Sequence, residues 1–197
     1  LFFALALLTH ESSLFMLPPL LVYALYLHPG EWAKLGKYAL ILAVAVVPLL
    51  LYRIWVSQYV QVEYDLAYYF STKNIAFTRD RVLPRLPVGL FFVFKLLWLI
   101  PIFAFVLSLL KREFLFAFLL LTLLICDVAQ LLIAFDVTRM LCLGFPILLL
   151  SAEKLRTYWP GKQWLTIVGI LLLVNLMIPQ HFMTVDGLAP MPPIFLK

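Results

Sequence analysis

The chain has 197 residues, of which 65% are hydrophobic and 13% are charged, and its formal net charge is +5. Soluble domains carry about 45–50% apolar and about 25% charged residues, so the composition excludes an ordinary soluble domain and indicates an integral membrane protein. Lys and Arg collect on the cytoplasmic side of such proteins, which accounts for the positive charge and gives no reason to expect a nucleic-acid partner.

Seven apolar runs follow one another along the chain. A membrane-spanning helix needs about 20 apolar residues, and the runs cover residues 1–9, 12–28, 37–56, 88–110, 114–135, 137–152 and 163–179. They predict an all-α fold, a polytopic transmembrane helix bundle with six or seven spans that forms one domain over residues 1–197. The first run begins at Leu1 without a preceding Met, so we expect a fragment of a longer chain.

Short basic segments predict the orientation. Three clusters of cations separate the second run from the third, the fourth from the fifth and the sixth from the seventh, namely Lys34 and Lys37, Lys111 and Arg112, and Lys154, Arg156 and Lys162. Alternation of the spans places all three clusters on one side, and short basic loops are cytoplasmic. The opposite, extracytoplasmic side receives His10 and Glu11, a loop over 57–87, the segment 136–139 and the tail from residue 180.

His10 and Glu11 interrupt the apolar sequence near the start of the chain. Residues 1–27 form either two spans with a turn at 10–13, which Ser12 and Ser13 favour as N-cap residues, or one helix kinked at Pro18. The pair is either an interfacial turn or part of a site that faces a water-filled cavity, where a neutral His and a carboxylate accept or relay a proton. The second interpretation makes them candidate catalytic residues.

Asp136 and Arg139 introduce the sixth run. Asp136 is explained without a function as the N-cap of the sixth helix. Arg139 lies in the first turn of that helix, where the macrodipole disfavours a cation, so it indicates a carboxylate or phosphate partner. The alternative is an arginine whose guanidinium extends to the lipid headgroups.

Lys95 and Asp127 are charged residues inside apolar runs. Both lie roughly 10–12 Å below the predicted extracytoplasmic end, by the helical rise of 1.5 Å per residue. Because the two runs are joined by a tight turn, they are expected to be antiparallel neighbours, and the sequence predicts a Lys95–Asp127 ion pair. Such a pair either joins two helices or belongs to a polar patch that Gln130 completes.

The extracytoplasmic loop carries three arginines close together, Arg79, Arg81 and Arg85. Guanidinium groups bind phosphate bidentately, so this loop predicts a site for a phosphate or pyrophosphate headgroup. Anchorage to anionic lipid is the alternative interpretation. The histidines and cysteines are scattered, so no metal site and no cofactor are predicted.

Two stretches, LLTHESSLFMLPPLL and FDVTRMLCLGFPILLL, resemble bacterial multi-pass proteins of envelope-glycan and polysaccharide biosynthesis. These are the GT-C-type glycosyltransferases that use polyprenyl-phosphate sugars and the polysaccharide polymerases of the EpsG and Wzy type. The resemblance covers residues 5–27 and 134–150. It departs from the GT-C pattern, because no catalytic Asp or Glu in a first extracytoplasmic loop precedes these stretches unless Glu11 takes that role.

The resemblance implies transfer or polymerisation of sugars from a polyprenyl-phosphate-linked donor on the extracytoplasmic face of a bacterial inner membrane. His10 or Glu11 is then the base or an acceptor contact, and Arg139, Asp136 and the arginine loop hold the donor phosphates. Two alternatives remain: a transporter or flippase with an intramembrane site at Lys95 and Asp127, and a structural membrane subunit without chemistry. Whether the chain is an enzyme stays open at this point.

Overall fold

Helices make up almost all of the described chain in the computed structural model. It describes residues 11–59, 71–132, 141–159, 161–179, 181–183 and 187–190. Three predicted site residues, His10, Asp136 and Arg139, lie outside these ranges, and for Glu11 only the backbone is described.

The first helix, α1 (Leu17–Leu27), continues from a 3-10 turn at Glu11–Met16. Pro18 and Pro19 stand at its start, where the missing N–H of proline removes no intrahelical hydrogen bond. Helix α2 (Trp32–Ser57) follows after a turn at Gly30, whose φ of +82° suits glycine. Because α1 is preceded directly by a helical turn, Ser12 and Ser13 do not serve as the predicted N-caps.

The segment from Thr72 to Leu110 is helical throughout, although its helix type changes along its length. It comprises α3 (Thr72–Phe77), a π-helical turn at Thr78–Val82, a 3-10 turn at Leu83–Arg85, α4 (Leu86–Phe94), a 3-10 turn at Lys95–Trp98 and α5 (Leu99–Leu110). The side chain of Ser71 caps α3 by accepting a hydrogen bond from Asn74 N at 3.2 Å. The predicted loop over 57–87 is therefore helical from Thr72 onwards.

Three more helices and a short hairpin complete the described fold. Helix α6 (Phe114–Ala129) ends in a 3-10 turn at Gln130–Leu132. A further 3-10 turn at Cys142–Gly144 leads into α7 (Phe145–Tyr158), and α8 is Lys162–Met177. The hairpin consists of β1 (His181–Met183) and β2 (Leu188–Pro190), which pair antiparallel with Phe182 opposite Ala189. The all-α prediction therefore holds for the described residues that precede this hairpin.

Helix α6 lies at the centre of the packing and contacts α1, α5 and α7. The main hydrophobic core forms around it and comprises Ile100, Ala104, Phe116, Leu119, Leu120, Leu123, Ile147, Leu155 and Trp164. A second, smaller cluster of Val82, Leu131, Leu141 and Met183 joins the π-helical turn to the hairpin. The turn at Lys111–Arg112 reverses the chain between α5 and α6, which contact each other, and the polar features of the bundle lie near this turn and at the far ends of these two helices.

Two helical segments are long and apolar enough to cross a membrane: Trp32–Val56, with 25 residues, and Thr72–Leu110, with 39. The second exceeds the about 20 residues that a span needs, and it contains 3-10 and π-helical turns as well as α-helix. Of the α2 side chains that the structure describes, only that of Leu49 is buried. A helix that is apolar on all sides and scarcely packed against protein is suited to contact with lipid.

One end of the bundle, here called the Glu113 end, holds an ion pair between Lys154 Nζ and Glu113 Oε2 at 2.6 Å. Tyr158 donates a hydrogen bond to the same carboxylate at 2.5 Å, and Lys111 Nζ lies 3.5 Å from the centre of the Tyr158 ring. Tyr26 packs against Phe116 nearby, with ring centres 5.4 Å apart. This cluster connects α1, the α5–α6 turn and α7.

The Glu113 carboxylate is stabilised in its ionised form. Burial raises its pKa, but the hydrogen bonds from Lys154 and Tyr158 and the nearby charges of Lys154 and Lys111 outweigh burial, and the net pKa lies below the ordinary value. For Lys154, burial lowers the pKa, whereas the bond to Glu113 and the neighbouring Tyr26 raise it above the ordinary value. Both partners therefore favour the charged pair.

Replacing Glu113 with Gln removes one charge from this partly exposed pair. We expect the free energy of unfolding to fall by about 1 kcal/mol, since solvent reduces the contribution of the pair. Because folding lowers the pKa of Glu113, this contribution is present above the ordinary carboxyl range and is lost as pH falls through the folded-state pKa. Unfolding in detergent micelles, followed by circular dichroism at several pH values, measures both effects.

The control is Glu153→Gln, which breaks the exposed pair with Arg156 (2.7 Å) and is expected to leave the free energy of unfolding nearly unchanged. Equal losses in the two variants, or a Glu113→Gln loss that persists unchanged at acid pH, would contradict this account.

Candidate functional site

The opposite end of the bundle, here called the Asp127 end, holds the two charged residues that the sequence places inside apolar runs. The turn at Lys111–Arg112 joins α5 to α6, so Lys95 and Asp127 return to a similar height, away from Glu113. Both side chains are buried, with 5% of Lys95 and none of Asp127 exposed. Two buried ionisable groups in an apolar bundle need polar partners.

Lys95 finds its partners at the end of α8. Its Nζ donates to the carbonyl oxygen of Ile178 at 2.7 Å and to that of Asn175 at 3.4 Å. The backbone N of Leu96 donates to Asn175 Oδ1 at 3.1 Å. The last carbonyls of a helix have no intrahelical donors and carry the negative end of the macrodipole, so the ammonium group is well placed there.

The helical segment is broken at Lys95. Its φ of +48° and ψ of −121° are unusual for a residue with a side chain, and such backbone geometry costs about 1–3 kcal/mol. Trp98 Nε1, on the far side of the break, donates to Leu90 O at 2.5 Å and so connects the two parts of the segment. The break turns the chain so that Lys95 reaches the end of α8.

Asp127 accepts a hydrogen bond from Gln130 Nε2 at Oδ1, with a distance of 3.1 Å. Its other oxygen, Oδ2, lies next to Gly144, the N-cap residue of α7: a Cβ on Gly144 would be 2.5 Å from it. The carboxyl group therefore lies at the positive end of the α7 macrodipole. Gln130 thus bonds Asp127, whereas Lys95, the third member of the predicted polar patch, does not join them.

The predicted ion pair between Lys95 and Asp127 is wrong, since no salt bridge joins these two described residues. Each group is instead placed against the oppositely charged end of a helix, the C-terminus of α8 for Lys95 and the N-terminus of α7 for Asp127. Sequence spacing located both residues at the same depth, but it did not indicate in which direction each side chain points.

Two of the three arginines before α4, Arg79 and Arg85, form local side-chain bonds. Arg79 binds its neighbour Asp80 through Nε at 2.6 Å and NH2 at 3.1 Å. Arg85 NH1 donates to the carbonyl oxygen of Arg81 at 2.5 Å. The side chains of Arg79 and Arg81 are exposed. Their predicted role in binding phosphate stays a prediction, and Asp80 is the group that a phosphate would have to replace at Arg79.

An apolar cleft of about 370 Å³ lies between the helices just inside the Asp127 end. Its lining is entirely nonpolar and is provided by Leu90, Trp98, Pro101, Ile102, Phe105, Leu120, Leu121, Leu124 and Ile147. Leu124 and Ile147 lie about one helical turn from Asp127 and Gly144. Sequence reasoning missed this cleft, because apolar spacing in a helix does not distinguish packed core from cavity wall.

Other predicted site residues are only partly located. The turn at Glu11–Met16 packs against α6, and since Tyr26 contacts Phe116 at the other end, Glu11 belongs near the Asp127 end. Within the described ranges, no group of three His, Cys, Asp or Glu side chains is arranged to hold a metal ion.

No protein-family model, curated protein or solved structure matches this chain.

Lys95→Met retains most of the side-chain volume but removes the ammonium donors from the end of α8. We expect a loss of about 1–3 kcal/mol, because the half-buried Asn175 and Ile178 lose the hydrogen bonds to their carbonyls. Hydrogen–deuterium exchange should increase in the peptide covering 175–190. Lys162→Met, at the other end of the same helix, is the control, and equal exchange in both variants would show that Lys95 does not hold this segment.

Gly144→Ala places a methyl group where the Asp127 carboxyl group lies, 2.5 Å from Oδ2 and 2.9 Å from Cγ. We expect a destabilisation of about 1–3 kcal/mol from the displaced carboxyl group. Gly169→Ala is the matched control, since no atom lies within 4 Å of its Cβ position in α8 and alanine favours a helix by about 0.5–1 kcal/mol. Melting temperatures that move in the same direction in both variants would contradict the close contact.

Proposed function

We propose that this chain is an integral protein of a bacterial inner membrane with six or seven spans. Two described helices have the length for a span, and the packing supports the predicted orientation of the others. Lys111 and Lys154 both lie at the Glu113 end. The hydroxyl of Tyr26 lies 3.5 Å from Lys154 Nζ, and shortly after Tyr26 the chain turns into the start of α2, which carries Lys34. All three basic clusters thus gather at the end that the positive-inside rule makes cytoplasmic.

We further propose that the chain transfers or polymerises sugars from a polyprenyl-phosphate-linked donor at the extracytoplasmic, Asp127 end. The observation that carries this proposal is the nonpolar cleft of about 370 Å³ directly inside that end. Its volume falls in the range of about 300–1,000 Å³ that is usual for small-molecule sites, and a hydrocarbon chain needs no polar partner there. A lipid-linked donor would hold its chain in the cleft and its phosphate outside it.

The predicted site residues take their roles from this arrangement. His10 or Glu11 would act as the base or contact the acceptor, and Arg139 with Asp136 and the arginines of 79–85 would bind the donor phosphates. The turn at Glu11–Met16 packs against α6, which supports a position of Glu11 near the cleft. Lys95 and Asp127 would shape the inner boundary of the site through their helix-end contacts.

Transport is the second candidate, and the broken helix at Lys95 favours it. Discontinuous membrane helices whose ends face charged groups are typical of substrate sites in secondary transporters. Here the Lys95 ammonium contacts the C-terminal carbonyls of α8 next to such a break. The site residues for transport would be Lys95 and Asp127.

Mass spectrometry of lipid-linked sugars in membranes containing the protein separates the two candidates. If the chain transfers sugars, the lipid-linked donor should accumulate by tenfold or more in Arg139→Ala and in His10→Ala. Loss of acid–base catalysis lowers a reaction rate by at least about 10², which is sufficient for this accumulation. Arg156→Ala at the Glu113 end is the control, with equal protein levels verified by immunoblotting.

Unchanged donor levels in both variants would remove the sugar-transfer proposal. If Lys95→Met and Asp127→Asn then abolished solute movement across proteoliposome membranes, the transport candidate would replace it. Unchanged levels together with unchanged solute movement would leave a structural membrane subunit.

A further inference from the structure

Two buried oxygen atoms at the Asp127 end have no hydrogen-bond partner, and they belong to the same pair of side chains. They are Asp127 Oδ2 and Gln130 Oε1. Both residues are fully buried, and they are already joined by the bond from Gln130 Nε2 to Asp127 Oδ1. Buried polar atoms are nearly always satisfied, so this double deficit in one pair has a common cause.

No described cation neutralises Asp127. Lys95 is engaged with Asn175 and Ile178, and no other described Lys, Arg or His lies within 4 Å of the carboxyl group. The titratable side chains on Asp127's own helix, on the elements packed against it and in the α5–α6 turn are Cys126, Cys142, Glu11, Tyr23, Tyr26, Lys111, Arg112, Glu113, Glu153, Lys154, Arg156 and Tyr158. The four cations among them, Lys111, Arg112, Lys154 and Arg156, belong to the Glu113 end and not to the Asp127 end. An ionised carboxylate at this place is therefore costly.

One proton satisfies both orphaned atoms. A neutral carboxyl group with its hydrogen on Oδ2 becomes a donor, and Gln130 Oε1 is the acceptor in the same pair. The existing bond from Nε2 to Oδ1 supplies the second half of a cyclic acid–amide arrangement. The absence of a side chain at Gly144 provides the space that Oδ2 occupies.

We propose that Asp127 and Gln130 form an internal proton-binding site at the extracytoplasmic end of the bundle. The proton comes from the aqueous phase, an O–H bond forms at Oδ2, and the carboxylate loses its charge. Loss of the proton leaves a carboxylate at the N-terminus of α7, where the macrodipole partly stabilises it. The inference does not depend on sugar transfer, because it rests on the buried pair alone.

Infrared spectroscopy of the protein in lipid bilayers tests this site directly. Near neutral pH, the wild type should show the C=O stretch of a protonated carboxyl group, and the band should shift to lower frequency after exchange into D₂O. Asp127→Asn should lose the band, with an unchanged melting temperature, because the amide can donate to Gln130 Oε1 as the acid does. Glu113→Gln is the matched control and should retain the band, since Glu113 is ionised in its pair with Lys154.

A wild type without the band, or a band that survives in Asp127→Asn, would overturn the proposal. A band that does not shift in D₂O would show a proton that never exchanges with water, which also contradicts a binding site. If Asp127→Asn fails to fold, Gln130→Leu replaces it: loss of both bonds to the carboxyl group should move the band to higher frequency, and an unmoved band would overturn the proposal.

Discussion

The cost of placing a charge inside an apolar helix bundle constrains the whole arrangement at the Asp127 end. A charged side chain in such surroundings needs an opposite charge, a helix terminus or a change of protonation state. Lys95 uses the C-terminal carbonyls of α8, which determines where α8 ends and brings the following hairpin onto α4. Asp127 uses Gln130 and the N-terminus of α7, which requires glycine at position 144. The two charges thus organise three helix ends without contacting each other.

The two ends of the bundle stabilise their carboxyl groups in different protonation states, and the difference follows from exposure to water. At the Glu113 end, the carboxylate and Lys154 are partly exposed, so a charged pair with a tyrosine hydroxyl is stable. At the Asp127 end, the carboxyl group is fully buried and no cation among the described residues lies within 4 Å of it, so a neutral acid satisfies more hydrogen bonds than a carboxylate does. A carboxyl side chain is therefore an anion at one end and, in our proposal, a proton-binding group at the other.

The apolar cleft and the break at Lys95 share the same part of the molecule. Trp98 both donates to Leu90 O across the break and forms part of the cleft wall. A ligand chain in the cleft would consequently contact residues beside the break. The two functions that we propose as candidates, sugar transfer from a lipid-linked donor and transport, therefore rest on the same part of the molecule.

The sequence by itself determined the helical, apolar character of the chain and located most of the described helices, because hydrophobic run length and breakers such as Pro29 and Gly30 act locally. It missed the helical turns over 72–87, which it predicts as a loop. It also placed Lys95 and Asp127 at one depth and paired Asp127 with Gln130, since these relations depend on helical rise and a spacing of one turn. Only the tertiary structure decided that Lys95 binds Ile178, 83 residues away, and that Gly144 accommodates Asp127. Helix rotation, which sets side-chain direction, depends on packing between distant segments, and no local pattern encodes it.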